Sequence, residues 1–496
     1  MFNILKYLIF ILLFFSVGLF YLLSTPLGNQ NIYDYIDYRL SKKTDFDIKV
    51  KYINIDNYPQ ATIELIIEGK AHLILKGYMD TSGVDMRYTL ISDAIYKIDD
   101  DINISGSIAG DYSELEIKGE GVALDGNISY SAIKFTDKAE DIKLSMRDIN
   151  SSKLLILLGQ NSSIAGVANV ELDFKLMQED NIQGAFRYDI YDNNFSGIPL
   201  NINTKVELSN MIHKFRVNIS SPSMEINVTN GEYKQDKKIA HAHYVLDIGD
   251  LSKLESLLGY KYQGVFYARG EMSYDRELNI TGLSKSFGGL LDFIYLKDNL
   301  NVKLKDVSFV DFMSIFPYPK IISANATGEI NYDFLKRRLS VNTELKNTKF
   351  LSSQLVNIIY QKSGVNMMKE VFDDSHLEAS YQDSILLGDV EIANEKSHVF
   401  ITSVNMNSQK NTVNAYFDFD MQKQAFSGKI YGSLSEPKVN LDMQKLIKFQ
   451  MKKQLDSIMG KGNRMGVEKM IDTIPMANVA EGVATEAASS FIGMFF

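Results

Sequence analysis

The sequence predicts a mainly β protein: an antiparallel sheet of many one-sided strands, set between an N-terminal transmembrane helix and C-terminal amphipathic helices. Three observations predict it. Apolar and polar residues alternate with period two through much of residues 28–442. A charge-free apolar run precedes them, and a basic helical pattern follows from Met443. The composition, 45% apolar and 11% aromatic over 496 residues, is that of an ordered chain too long for a single ordinary core. A net charge of −10 excludes general nucleic-acid binding. The absence of cysteine removes disulfides, thiolate metal sites and Cys nucleophiles together.

The first element, residues 1–27, contains Tyr7 to Leu23 without a charge. A spanning helix needs about 20 apolar residues to cross about 30 Å of hydrocarbon. Pro26 and Gly28 end it, and the one small-x-small triplet, Ser16-Val17-Gly18, lies inside the run, which favours an uncleaved anchor over a removed signal. Lys6 precedes the run and Arg39, Lys42 and Lys43 follow it, so charge does not set the orientation. The short leader favours the N-terminus inside.

The body, residues 28–442, reads as strands. Val170, Leu172, Phe174 and Leu176 alternate with Glu171, Asp173 and Lys175. Phe215, Val217 and Ile219 alternate likewise, as do Met224, Ile226 and Val228; Leu339, Val341, Thr343 and Leu345; Val413, Ala415, Phe417, Phe419 and Met421; and Phe426, Gly428 and Ile430. Period two means a sheet with one apolar and one wet face. Turn signals stand at Asp99, Leu124, Asp192 and Thr229. A one-sided sheet must bury its apolar face. It can do so as a sandwich or closed barrel, or as a curved open sheet whose apolar trough holds lipid. Three segments, from Ser151, Leu251 and Ser308, share one layout: a short apolar helix, a turn, and a strand opened by Gly166, Gly264 or Gly328. Degenerate repeats of this kind imply stacking in one dimension and favour the elongated, open form.

At Gly432 to Asp442 the chain resembles the closing motif of AsmA-like proteins, with Gly432, Leu434, Pro437 and Val439 supplying the G-x-L-x-x-P-x-V pattern. These are Gram-negative envelope proteins related to TamB and to bridge-like lipid-transfer proteins. The resemblance covers the architecture of the whole chain but only short motifs in residues. It implies an elongated, twisted, taco-like antiparallel β-groove in the periplasm, held by an inner-membrane helix. It implies phospholipids as ligands, a role in inter-membrane lipid transport and outer-membrane homeostasis, and no catalytic residues or cofactor. The groove residues expected are Val170, Leu172, Phe174, Leu176, Phe215, Val217, Ile219, Val413, Phe417, Phe419 and Ile430. An assembly factor for outer-membrane proteins acting by strand addition, or an envelope scaffold without lipid, are the alternatives.

Residues 443–496 form the last element. Met443, Ile447, Met451, Leu455 and Ile458 make one helical side, widened by Phe449, while Lys445, Lys448, Lys452 and Lys453 occupy the rest. This pattern suits a helix lying on anionic lipid or capping the groove, and it places the outer membrane or another envelope protein as partner of the C-terminal end. A further helix is expected over Ser352 to Asp374, with Leu355, Ile359, Met367, Val371 and Phe372 on its apolar side. His241, His243 and Asp247 share a strand face and are read as wet-face residues before metal ligands. No P-loop, G-x-S-x-G or H-E-x-x-H motif occurs, and no enzyme is expected.

Overall fold

The computed structural model describes residues 48–442 apart from 55–58, 96–97, 160–165, 179–180, 260, 316–319, 321, 353–355, 358–359, 361–364, 408, 422–423 and 434–436. The expected membrane anchor and C-terminal helices, with Lys445, Lys448, Phe449, Lys452 and Lys453, lie outside the described residues. Among the described residues no helix is long and apolar enough to cross a membrane.

Strand accounts for 74% of the described residues and helix for 7%, so the class is mainly β. The chain divides into two compact units, Met1–Tyr244 and Val245–Phe496, the division falling within β14 (Ile239–Ile248). In the first unit β1 (Ile48–Asn54) to β13 (Met224–Lys234) pair in sequence order, each antiparallel to the next. In the second, β15 (Phe266–Asp275) to β26 (Pro437–Asp442) do the same. Strand β1 pairs with β2 (Gln60–Ile67) and β26 with β25 (Gln424–Ser433), and neither ladder closes into a barrel.

Several expected turns are bulges instead. Asp192 (φ 52°) lies inside β10 (Asn181–Phe195) and Asn230 (φ 51°) inside β13. The triplet at Asp99 is part of β5 (Ile98–Asp111). Asp and Asn tolerate the left-handed region, and a single residue there offsets the ladder without ending the strand. Leu124 and Asp125, both at positive φ, do make the expected hairpin turn before Gly126. Gly328 lies within β19 (Ile322–Asp333), opposite Leu304 and Thr343, rather than before it.

One local pattern recurs where strands leave the sheet for short helices. In β8 (Lys138–Asn150), Asp148 takes φ 57° and its N–H donates to Asn169 Oδ1 at 2.9 Å. Ile149 then turns fully inward, and Asn150 caps α1 (Ser151–Leu157) by accepting from the Ser152 and Lys153 N–H groups. Asp250 caps the 3-10 turn η1 (Leu251–Leu254), which continues as α2 (Glu255–Leu258) and ends on Gly259 at φ 71°. In β18 (Asn299–Ser308), Asp306 takes φ 50° and donates to Thr327 Oγ1 at 3.1 Å. Val307 is buried, and Ser308 caps α3 (Phe309–Met313). The bulge turns the strand's last apolar residue onto the core side, just before a side chain starts the helix.

The helix expected to run to Asp374 does not reach it. Met367–Lys369 is a 3-10 turn, and Phe372 exchanges both backbone hydrogen bonds with Thr348, at 2.8 and 2.9 Å. That bridge buries Phe372 and leaves Val371 exposed.

Candidate functional site

The apolar faces assemble into cross-strand rows, because directly opposed residues of an antiparallel pair share a face. In the first unit one such row runs Ile63–Leu75–Tyr88–Gly106–Gly119–Tyr130–Leu144–Leu172–Phe186–Val206–Phe215–Gly231, across β2 to β13, without a charged residue. Its early members are sealed: Ile63, Leu75, Leu144 and Leu172 are at most 7% exposed. From Phe186 onward the face loosens, and Phe186, Val206 and Phe215 are half-buried.

Within this row Tyr88 and Tyr130 lie over the two glycines between them, and their hydroxyls meet. The Tyr88 hydroxyl also donates to the Lys118 carbonyl at 3.1 Å. A Cβ at Gly119 would collide with the Tyr88 oxygen and stand 2.7 Å from the Tyr130 Cζ and hydroxyl oxygen. Glycine is therefore needed here for the space it leaves. Desolvation raises both phenols above their ordinary pKa.

The second unit shows a gradient along its strands. Nearest α3, a row of Val307, Ala326, Leu345, Ser375, Ile392, Val399 and Phe419 is sealed, each at most 5% exposed. Phe309, Val356, Val365, Met367 and Phe372 share its core. Phe350 and Phe372 meet edge to face at 5.7 Å. Toward the opposite strand ends lies another row: Met272–Ile280–Tyr295–Leu300–Tyr332–Leu339–Tyr381–Leu386–Met406–Val413. Its first nine members are half-buried and only Val413 is closed off. Beside it runs Phe293–Val302–Ile330–Val341–Ala379, half-buried as well. Neither row contains a charge. At about 4.8 Å per strand, the longer row is about 43 Å of continuous apolar surface.

The expected groove residues distribute unevenly over these rows. Val170 (6%), Leu172 (3%) and Phe174 (0%) share the sealed face of the first unit. Phe215, Val217 and Ile219 lie on the loosened part. Val413, Phe417, Phe419 and Ile430 are all buried in the second unit's core, with the Phe417 and Phe419 rings 5.5 Å apart. Leu176 departs from the expectation. A register shift after Gly184, with Asp141 at φ 48° on the other neighbour, sets Leu176 opposite Gln183 and Glu140. Met177 instead opposes buried Ile182 and Ala139 and packs on the core. Alternation from Phe174 places Leu176 inside, but a bulge reverses the faces beyond it. Of the half-buried row from Met272 to Met406, sequence reading marks Leu339, which alternates with polar neighbours; it misses members such as Tyr295, whose neighbour Ile294 is also apolar and lies exposed on the other face.

Charged chemistry lies on the wet face. A cavity of about 350 Å³ there is lined by Lys205, Glu207, Lys214, Arg216, Glu232 and His241 among others. Lys205 and Glu207 pair at 3.0 Å, and the lysine bond, the largest cause, draws the Glu207 carboxyl below its usual range. His241 and His243 are exposed, and among the described residues no three His, Asp or Glu side chains converge to hold a metal. One buried ion pair stands out. Lys153 Nζ bridges Asp100 at 2.7 Å and Asp125 at 2.6 Å, and the Asp100 side chain, 1% exposed, also accepts from the Leu124 N–H. It fastens α1 to β5 and to the turn after β6 (Glu114–Ala123).

Compared with protein-family models, curated proteins and solved structures, the chain matches none of them.

Proposed function

We propose that this protein binds phospholipid acyl chains along the open apolar rows of its sheet, as an AsmA-like, inner-membrane-anchored periplasmic protein that supports lipid movement between membranes and outer-membrane homeostasis. One observation carries the reading: the uncharged, half-buried row from Met272 to Met406, which spans nine consecutive strands toward the strand ends opposite the fully sealed row. A chain that only needed a core would seal both. Each acyl CH₂ taken from water gains about 0.8 kcal/mol, and a row without charges or deep pockets offers similar sites from strand to strand, so a chain can slide. The recurring bulge, cap and short helix support a body built from degenerate repeats. The uncharged Tyr7–Leu23 run and the Gly432–Val439 motif support the anchor and the family.

The test is extraction of the full chain in mild detergent with a photo-crosslinking amino acid at Tyr332 or Leu386, followed by mass spectrometry. Phospholipid adducts are expected at both positions and none at Leu345, which is sealed. Adducts at neither open position would overturn the proposal.

A further inference from the structure

The hairpin between β19 and β20 (Arg338–Phe350) projects from the open end of the second unit's strands, opposite the end that carries α3. Its tip reads Asp333-Phe334-Leu335-Lys336-Arg337-Arg338. Leu335 is 79% exposed, the highest value among the large apolar side chains of the described residues, and Phe334 is 48% exposed. Three consecutive cations follow. Lys336 pairs with Asp333 at 3.1 Å, while neither arginine has an acidic partner among the described residues.

The tip is held in shape. The Phe334 ring meets Tyr332 edge to face at 4.7 Å and Tyr295 at 5.7 Å. The Phe334 N–H donates to the Asp298 carbonyl of the neighbouring turn at 2.8 Å. The Lys336 N–H donates to Asp333 Oδ1 at 2.9 Å, and Arg337 sits at φ 50°. Rigid backbone bonds and aromatic packing thus hold a solvent-facing leucine in place, although burying it in the fold would lower the free energy. Tyr332 and Leu339, just behind the tip, belong to the half-buried apolar row.

We propose that this tip docks on an anionic phospholipid bilayer, with Leu335 and the edge of Phe334 entering the interface and Arg337 and Arg338 meeting lipid phosphates. The chemistry is complementary on both counts: apolar atoms that gain by leaving water, and guanidinium groups that take phosphate in a bidentate fashion. The inference rests on the acyl-chain reading in one respect. It makes the tip the place where the open row faces the membrane that loads or unloads it.

The chain has no cysteine, so Leu335→Cys in the full chain takes a single environment-sensitive fluorophore. The same label at Glu395→Cys, exposed at the other strand end, serves as control. Vesicles are phosphatidylcholine alone, or an equal mixture with phosphatidylglycerol. A blue shift and brightening are expected at position 335 with the anionic vesicles only, and no change at 395. Each arginine contributes about a fivefold gain near an anionic surface, so R337Q/R338Q should weaken the response about 25-fold. Tethering of the whole molecule by its N-terminal segment would leave the 335 label in water. A label that keeps its aqueous emission, responds equally to neutral vesicles, or responds alike at both positions overturns the docking proposal. Lipid mass spectrometry on the same preparations separates the two ideas. Bound lipid with a silent label removes the tip alone; a responding label without bound lipid removes the acyl-chain reading and leaves the tip.

Discussion

Leu345 and Leu339 lie on the same face of β20, six residues apart, yet one is 0% exposed and the other half-buried. The proposed function requires them to respond differently. Leu345→Ala empties a site enclosed on all sides and lowers stability by about 3–4 kcal/mol, the transfer loss plus the cavity left behind. Leu339→Ala removes surface that is partly in water already, for about 1 kcal/mol. For a unit of this size about 1 kcal/mol moves Tm by roughly 2–4 °C, so the first change lowers it by about 6–16 °C and the second by about 2–4 °C. Leu339→Asp sharpens the contrast, since a carboxylate at the open row keeps water beside it but interrupts the apolar surface. Circular dichroism melts of the full chain in detergent give the stabilities, and mass spectrometry of co-extracted lipid gives occupancy. Leu339→Asp is expected to lose most bound lipid while melting close to the parent, and Leu345→Ala to keep lipid per folded molecule. If Leu339→Asp destabilises as much as Leu345→Ala, the row is sealed and the reasoning fails; if it retains the full lipid complement, the row is open but is not the binding surface.

Other perturbations test the supports of the fold. Lys153→Met leaves the Asp100 carboxylate, 1% exposed, without its counter-charge and is expected to lower stability in urea by about 2–4 kcal/mol. The pair also sets a pH window. The Lys153 hydrogen bond holds Asp125 below its usual range, so that contribution is present above the ordinary carboxylate pKa and is lost as pH falls through the lowered folded value. Desolvation opposes the Lys153 charge but the two carboxylates outweigh it and raise its pKa, so its contribution is lost as pH rises through the raised folded value. The gap between parent and Lys153→Met should therefore narrow at both extremes of a pH series of urea melts. Gly119→Ala drives a methyl into the Tyr88 and Tyr130 rings, and a loss of about 1–3 kcal/mol is expected, read by the same melts; no loss would mean the tyrosines can move aside. Asn150→Ala removes the α1 cap for about 1 kcal/mol, with Asn150→Asp expected to restore it.

The amino-acid order alone determined that this chain is strand-rich and one-sided. Val170, Leu172 and Phe174, or Val413, Phe417 and Phe419, face the core because side-chain direction in a strand follows from backbone geometry with period two. The short helices from Ser151, Leu251 and Phe309 were equally legible, since a capping side chain and a brief apolar run are local signals. Tertiary structure decided three further matters. It decided which faces survive a bulge: the segments at Asp192 and Thr229 read as turns, and only the partner strand's register makes Asp192 and Asn230 offsets within a strand; the offset at Asp141, which carries no turn signal, reverses Leu176. It decided which rows close, because Leu345 shares its core with Val356, Met367 and Phe372, carried there by the chain's return after β20. And it decided which apolar row stays open. Leu339 and Leu345 carry the same alternation signal, which records the face a side chain takes but not its position along the strand, and burial depends on what other segments bring to that position.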